Sequence, residues 1–221
     1  MSITAKVDEF LRSAKSWNDF AAGQRKLADK EKGDTFERLV QLHLQLEPRY
    51  AAQLKHVWLL ADVPLEVREK LNLPEPDKGI DLIAATHAGE FWAIQAKYRD
   101  DQTSSLTWDE LSTFTGLAFG VCRNIAFGLI CSTTEHFTQV LQNNERIGFC
   151  SIETWAHLNA DFFRRVRAKL LRQWPSPRQL AGAIREAEAR RSRHRFRCFR
   201  SRWRGCALES LGGWFGARSH S

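Results

Sequence analysis

The chain has 221 residues, 43% of them hydrophobic and 27% charged, with a formal net charge of +7. This composition suits a globular protein of one domain plus an appendage and excludes a disordered or fibrous chain. No apolar run approaches the roughly 18 residues of a bilayer span, and residues 1–18 lack a signal peptide's apolar core, so a cytoplasmic protein with no membrane partner is expected.

The charge is unevenly placed. Residues 178–221 hold 11 Arg, no Lys and 3 Glu, whereas residues 1–177 hold 22 Lys plus Arg against 23 Asp plus Glu. The body is therefore near neutral, and phosphate binding there must rest on local groups such as Lys26, Lys30 and Lys32, or Arg164, Arg165, Arg167, Lys169 and Arg172. The five cysteines (Cys122, Cys131, Cys150, Cys198 and Cys206) include no CxxC pair. Neither a disulfide framework nor a zinc site is expected of them, and three lie in apolar stretches suited to small core residues.

Residues 3–28 predict one or two amphipathic helices, with Ile3, Val7, Phe10, Leu11, Trp17 and Phe20 as the apolar positions. Glu31 to Asp34 breaks the pattern. Asp34 is then a natural N-cap for a helix from Thr35 to about Glu47, ended by Pro48. Residues 50–60 fit either helix or strand. A short helix over Leu65–Leu71 is expected within the proline-marked stretch from Pro64 to Pro76.

Gly79–Thr86 and Glu90–Tyr98 read as strands joined by a turn at His87-Ala88-Gly89. Both strands are apolar on both faces, which predicts a sheet covered on both sides. A helix over Thr107–Phe119, a strand over Asn124–Cys131, a helix over Glu135–Gln142 and a strand over Ile147–Ile152 follow. Glu153–Arg172 reads as helix, and Pro175 and Pro177 mark a boundary.

The expected fold is an α/β/α sandwich with a central mixed sheet whose later strands join by crossovers, a helical N-terminus and an Arg-rich C-terminal tail. Its divisions are 1–29, a helical segment; 30–155, the main domain; 156–177, a helical linker; and 178–221, a basic tail expected to be disordered. Three readings fit the tail: an arginine-rich nucleic-acid arm with Phe196, Phe199 and Trp203 for stacking, a disordered extension, or the out-of-frame end of a formerly longer gene.

The chemistry-bearing residues are Glu37, Asp81, Gln95 and Lys97. A three-residue turn ending in glycine is a favoured hairpin connection, since glycine takes the left-handed conformation. With that turn, Thr86 pairs with Glu90, and counting back places Asp81 opposite Gln95 on one face. Lys97, two residues on, shares the face, and a one-residue slip would separate the group. A carboxylate and an amide oxygen converging there suit a hard divalent cation such as Mg²⁺, and a nearby lysine can hold or deprotonate a water. Glu37 offers a further carboxylate, and Asp77 a weaker candidate. The structural alternatives are a capping box between Asp34 and Glu37 and an Asp81–Lys97 salt bridge. His43, on the apolar face of its helix, reads as a core or boundary residue.

The succession of a helix with Glu37, a strand with Gly79-Ile80-Asp81, and a strand with Gln95-Ala96-Lys97 resembles the PD-(D/E)xK nuclease superfamily. The glutamine variant resembles its Mrr-like restriction endonuclease branch. Gly33 to Val40 and Phe91 to Tyr98 are especially similar to the N-terminal nuclease domain of type ISP restriction enzymes, over roughly residues 30–155 of this chain. The resemblance implies Mg²⁺-dependent hydrolysis of DNA phosphodiester bonds in restriction of foreign DNA. It implies that Asp81 and Gln95 hold metal, Lys97 orients the nucleophilic water and Glu37 assists at the metal. In those enzymes a helicase follows the nuclease. Here Pro177-Arg178-Gln179 and Ala183-Ile184 faintly resemble a helicase entry motif, but no Walker-type loop follows, so a C-terminally truncated relative is expected. Its partners are then DNA, a second copy of itself where both strands are cut, or a separate helicase or methylase. The alternatives are a catalytically idle DNA- or partner-binding module and a truncated remnant.

Overall fold

Apolar spacing and local capping build the first three helices. The computed structural model describes residues 3–74 and 79–173. Helix α1 (Ile3–Ser13) and helix α2 (Trp17–Gln24) form where the apolar spacing predicts them. The Ser16 side chain accepts the Asp19 N–H at 3.2 Å and starts α2.

Helix α3 (Asp29–Leu46) begins earlier than expected and runs through Gly33 and Asp34. Three side-chain contacts outweigh the roughly 1 kcal/mol that a mid-helix glycine costs. The Glu31 carboxylate accepts the Ala28 N–H at 3.2 Å, Lys30 pairs with Asp34 at 3.0 Å, and Lys32 reaches Asp29 at 3.4 Å. Asp34 is therefore a helix-interior residue, not an N-cap, and Glu37 belongs to no capping box.

The chain continues through α4 (Pro48–Ala51), β1 (Leu54–Leu59) and α5 (Leu65–Leu71). The ambiguous 50–60 stretch thus resolves mainly into a strand. Next come β2 (Leu82–Thr86), β3 (Phe91–Lys97), β4 (Ser105–Leu106) and α6 (Trp108–Gly116), which runs on as a π-helical turn over Leu117–Val121. Then β5 (Ile125–Ser132), β6 (His136–Phe137), α7 (Gln139–Gln142), β7 (Ile147–Cys150), α8 (Ile152–Ala156) and α9 (Ala160–Gln173) complete the described chain. The helix expected over Glu135–Gln142 is half strand, because His136 and Phe137 pair with Ser105 and Leu106. The one expected over Glu153–Arg172 is two helices. Asn159 breaks it by capping α9, its Oδ1 accepting the N–H groups of Asp161 and Phe162 at 3.0 and 3.2 Å. Asp77, the proline boundary and the Arg-rich tail lie outside the described residues.

Five strands form one mixed sheet in the order β1-β2-β3-β5-β7. The first three pair antiparallel, and β3-β5-β7 pair parallel through the crossovers carrying α6 and α7. Side chains alternate between two apolar layers. Leu82, Ala84, Ile94, Leu129 and Cys131 enter one core, while Ile83, Ala85, Ala93 and Ile130 enter the other. The first core also takes Val7 and Leu11 of α1, Trp17 and Phe20 of α2, the inward face of α3, and Phe162, Phe163, Val166 and Leu170 of α9. Leu111 and Phe114 of α6 and Leu71 of α5 cover the opposite face. A sheet buried on both sides explains why β2 and β3 read as unbroken apolar runs. The sandwich expected from the sequence is the one observed.

Candidate active site

The β2–β3 hairpin has the register that its turn dictates. Leu82 pairs with Ile94 and Ala85 with Phe91. At the turn, the Thr86 N–H donates to the Glu90 carbonyl at 2.9 Å, and Gly89 takes a φ of 89°, which glycine adopts without strain. Extended the other way, the same register sets Asp81 opposite Gln95.

There the ladder changes character. The Ala96 N–H donates to Asp81 Oδ2 at 2.6 Å, so a carboxylate stands where a backbone carbonyl would continue the pairing. The Asp81 backbone is held on both sides: its N–H donates to the Ile94 carbonyl and its carbonyl accepts from Leu60, each at 2.9 Å. These contacts fix the carboxylate at the sheet's end and satisfy part of its charge.

Gln95 is 1% exposed, and its Oε1 has no hydrogen-bond partner. A buried amide oxygen left unpaired costs on the order of 1–3 kcal/mol, which calls for a ligand at that position. Gly79 lies against the same side chain. Its φ is 113°, and a Cβ there would meet Gln95 Nε2 at 3.4 Å, so the position needs glycine for its backbone and for space.

Glu37, Asp81, Gln95 and Lys97 line one cleft of about 530 Å³. Helix α3 forms one wall. Asp29, Gly33 and Glu37 recur every four residues and so share a helix face. Lys97 extends from the end of β3 and makes no salt bridge among the described residues, so the Asp81–Lys97 bridge that would make both residues merely structural is not formed.

Sequence reasoning missed five further lining residues: Asp29, Lys32, Tyr98, Arg99 and Asp100. Lys32 bonds to Asp100 at 2.7 Å, and this contact raises its pKa. Burial, then the Asp100 charge, pushes the Tyr98 hydroxyl up. Arg99 pairs with Glu110, whose other oxygen caps α6 by accepting the Thr107 N–H at 3.0 Å. The signal for Asp29 and Lys32 was the four-residue spacing to Glu37, hidden by placing the helix start at Thr35. The signal for Arg99 was its offset of two from Lys97.

The donor chemistry fits a hard cation in part. Among the described residues no three His, Cys, Asp or Glu side chains gather as a metal cluster. Instead the cleft offers the anchored Asp81 carboxylate beside the unpartnered Gln95 oxygen, both suited to an oxygen-seeking ion. Four carboxylates face three cationic side chains across it (Asp29, Glu37, Asp81 and Asp100 against Lys32, Lys97 and Arg99).

A family profile described as restriction endonuclease matches residues 45–155, half of the chain, and the chain belongs to that family. Asp81, Gln95 and Lys97 fall inside the matched segment, whereas Glu37 precedes it. Among solved structures, the "ATP-dependent Type ISP restriction-modification enzyme LlaBIII bound to DNA" is similar at 23% identity and a TM-score of 0.48, over 66% of this chain and 9% of that one. The chain thus spans less than a tenth of that enzyme's length. No curated protein matches it. No helix among the described residues is long and apolar enough to cross a membrane.

Proposed function

We propose that the chain is a Mg²⁺-dependent DNA endonuclease module of a restriction system, acting in the cytoplasm, with residues 30–155 as its catalytic part. The observation that carries this reading is the buried, unpartnered Gln95 oxygen beside the Asp81 carboxylate, at the open end of a hairpin that is satisfied everywhere else. Asp81 and Gln95 hold the ion, and Glu37 supports it from α3. The ion, when bound, polarises a phosphoryl oxygen and lowers the pKa of a water. Lys97 presents an ammonium to that cleft and positions the attacking water by hydrogen bonding. Arg99, steadied by Glu110, offers a guanidinium to a neighbouring phosphate.

Body charge near zero makes duplex affinity weak and strongly salt-dependent, because binding rests on few phosphate contacts. That favours action beside another DNA-binding element, such as a helicase or methylase partner or a second copy of this chain.

Plasmid cleavage tests the reading. The full chain is expected to cut plasmid DNA with Mg²⁺ and not with EDTA. Lys97→Ala is expected to lower the rate by about a hundredfold or more. Equal cutting by wild type, Asp81→Ala and Lys97→Ala, or no cutting by the folded chain on methylated and unmethylated DNA at low salt, would remove it.

A further inference from the structure

A second cavity of about 530 Å³ opens where the C-terminal end of α3 meets α4, α8 and the start of α9. It shares no lining residue with the cleft. At 1.5 Å per residue, its deepest side chain, His43, lies about 15 Å along α3 from Gly33. His43 is 4% exposed, and neither ring nitrogen has a hydrogen-bond partner among the described residues. Its ring is packed edge-on by Trp155 and Tyr50 at 5.1 and 5.6 Å and lies 6.0 Å from Phe162. A buried imidazole with both nitrogens idle carries the same kind of penalty as the Gln95 oxygen, with two atoms to satisfy. Burial lowers its pKa to about 4, so at neutral pH it offers one donor and one acceptor.

The rim sets the charge of what fits. Glu47, Glu153 and Asp161 face Arg49 and Arg165. Arg165 is already spent on Glu47 at 3.0 Å, on Asp161 at 3.4 Å and on the Leu46 carbonyl at 2.8 Å. Arg49 lies 4.8 Å over the Tyr50 ring. With carboxylates outnumbering guanidinium groups, a phosphate gains little here, and an uncharged ligand is favoured.

We propose that this cavity is a binding site for an uncharged planar base carrying adjacent donor and acceptor groups, a nucleobase, seated between the aromatic walls and read by the two nitrogens of His43. The aromatic faces supply stacking, and the imidazole supplies one bond in each direction. The base can come from a free nucleoside or from an unstacked nucleotide of DNA. The site works independently of the metal chemistry proposed for the cleft.

The test is calorimetric titration of the full chain with deoxyadenosine, deoxycytidine and thymidine, with 2-deoxyribose 5-phosphate as the arm lacking a base. In parallel, the ¹⁵N shifts of the His43 imidazole are followed. At least one nucleoside is expected to bind and to move both His43 nitrogens, and the sugar phosphate is expected not to. His43→Phe keeps a ring but removes both polar atoms, and it is expected to weaken nucleoside binding at least tenfold. His157→Trp, at the exposed mouth, is expected to block entry without touching the core. Asp81→Ala is expected to bind nucleoside like wild type, so failure of the nuclease reading and failure of this one are told apart. A mismatched oligonucleotide that moves the same nitrogens would assign the base to DNA, and free nucleoside alone would assign it to a small molecule. No heat from any nucleoside, unmoved His43 nitrogens, or binding undiminished in both variants would overturn the proposal, as would equal binding of the sugar phosphate.

Discussion

The two ends of the β2–β3 hairpin use the same strands to opposite effect. At the turn, every backbone partner is in place: Thr86 bonds to Glu90 in both directions, through its N–H and through its Oγ1 at 3.0 Å from the Glu90 N–H. At the other end, the Asp81 carboxylate stands in for a backbone acceptor and the neighbouring Gln95 oxygen has no partner. The closed end behaves as a structural connector. The open end holds unspent polar capacity, and a folded chain keeps such capacity against its cost where a ligand repays it.

Substitutions at the two ends sharpen the contrast. Asp81→Ala should have the largest effect. Removing the acceptor of the Ala96 N–H should cost about 1–3 kcal/mol in urea unfolding and abolish plasmid cutting. Thr86→Ala should cost about 1 kcal/mol and leave cutting untouched. Similar losses of cutting from both would erase the distinction.

A pH titration probes a third unsatisfied group outside the hairpin. His43 has a folded pKa of about 4 against its ordinary 6.5, because burial disfavours the charged ring. The unfolded chain therefore takes up the proton first. Stability should be full above pH 6.5 and fall as pH drops toward 4, by about 3 kcal/mol overall. Urea midpoints of wild type and His43→Phe across this window measure it, and parallel curves would contradict the assignment.

Gly79→Ala should cost about 1–3 kcal/mol, because it places an L-residue at a φ of 113° and crowds Gln95. Gly89→Ala, at the turn, meets open space and should cost only its left-handed backbone penalty of about 1 kcal/mol, with no change in cutting. The smallest effect should come from Gln95→Leu without metal. Replacing an unsatisfied buried amide by an apolar side chain should leave thermal stability unchanged or slightly raised, and a clear loss would show that the oxygen is already paired.

Much of the open end was legible in the sequence. The turn His87-Ala88-Gly89 sets the register, and register alone brings Asp81, Gln95 and Lys97 to one face. The two-sided burial followed from unbroken apolar runs in β2 and β3. The start of α3 was not legible, because Gly33 and Asp34 look like a stop and a cap. Only the pairs of Lys30 with Asp34 and Lys32 with Asp29 carry the helix through them. The strand nature of β1 was ambiguous, since its partner β2 lies more than twenty residues away and local pattern does not record that pairing. The α3 wall of the cleft was hidden for the first reason, and the His43 cavity because it joins elements separated by about a hundred residues.

Manganese binding followed by electron paramagnetic resonance tests the central contrast most directly, since Mn²⁺ accepts the same oxygen ligands as Mg²⁺. Wild type and Thr86→Ala are expected to bind the ion alike, Mg²⁺ is expected to displace it, and Asp81→Asn and Gln95→Leu are expected to lose binding. Undiminished binding in both of those variants would contradict the assignment of the open end of the hairpin as the metal site.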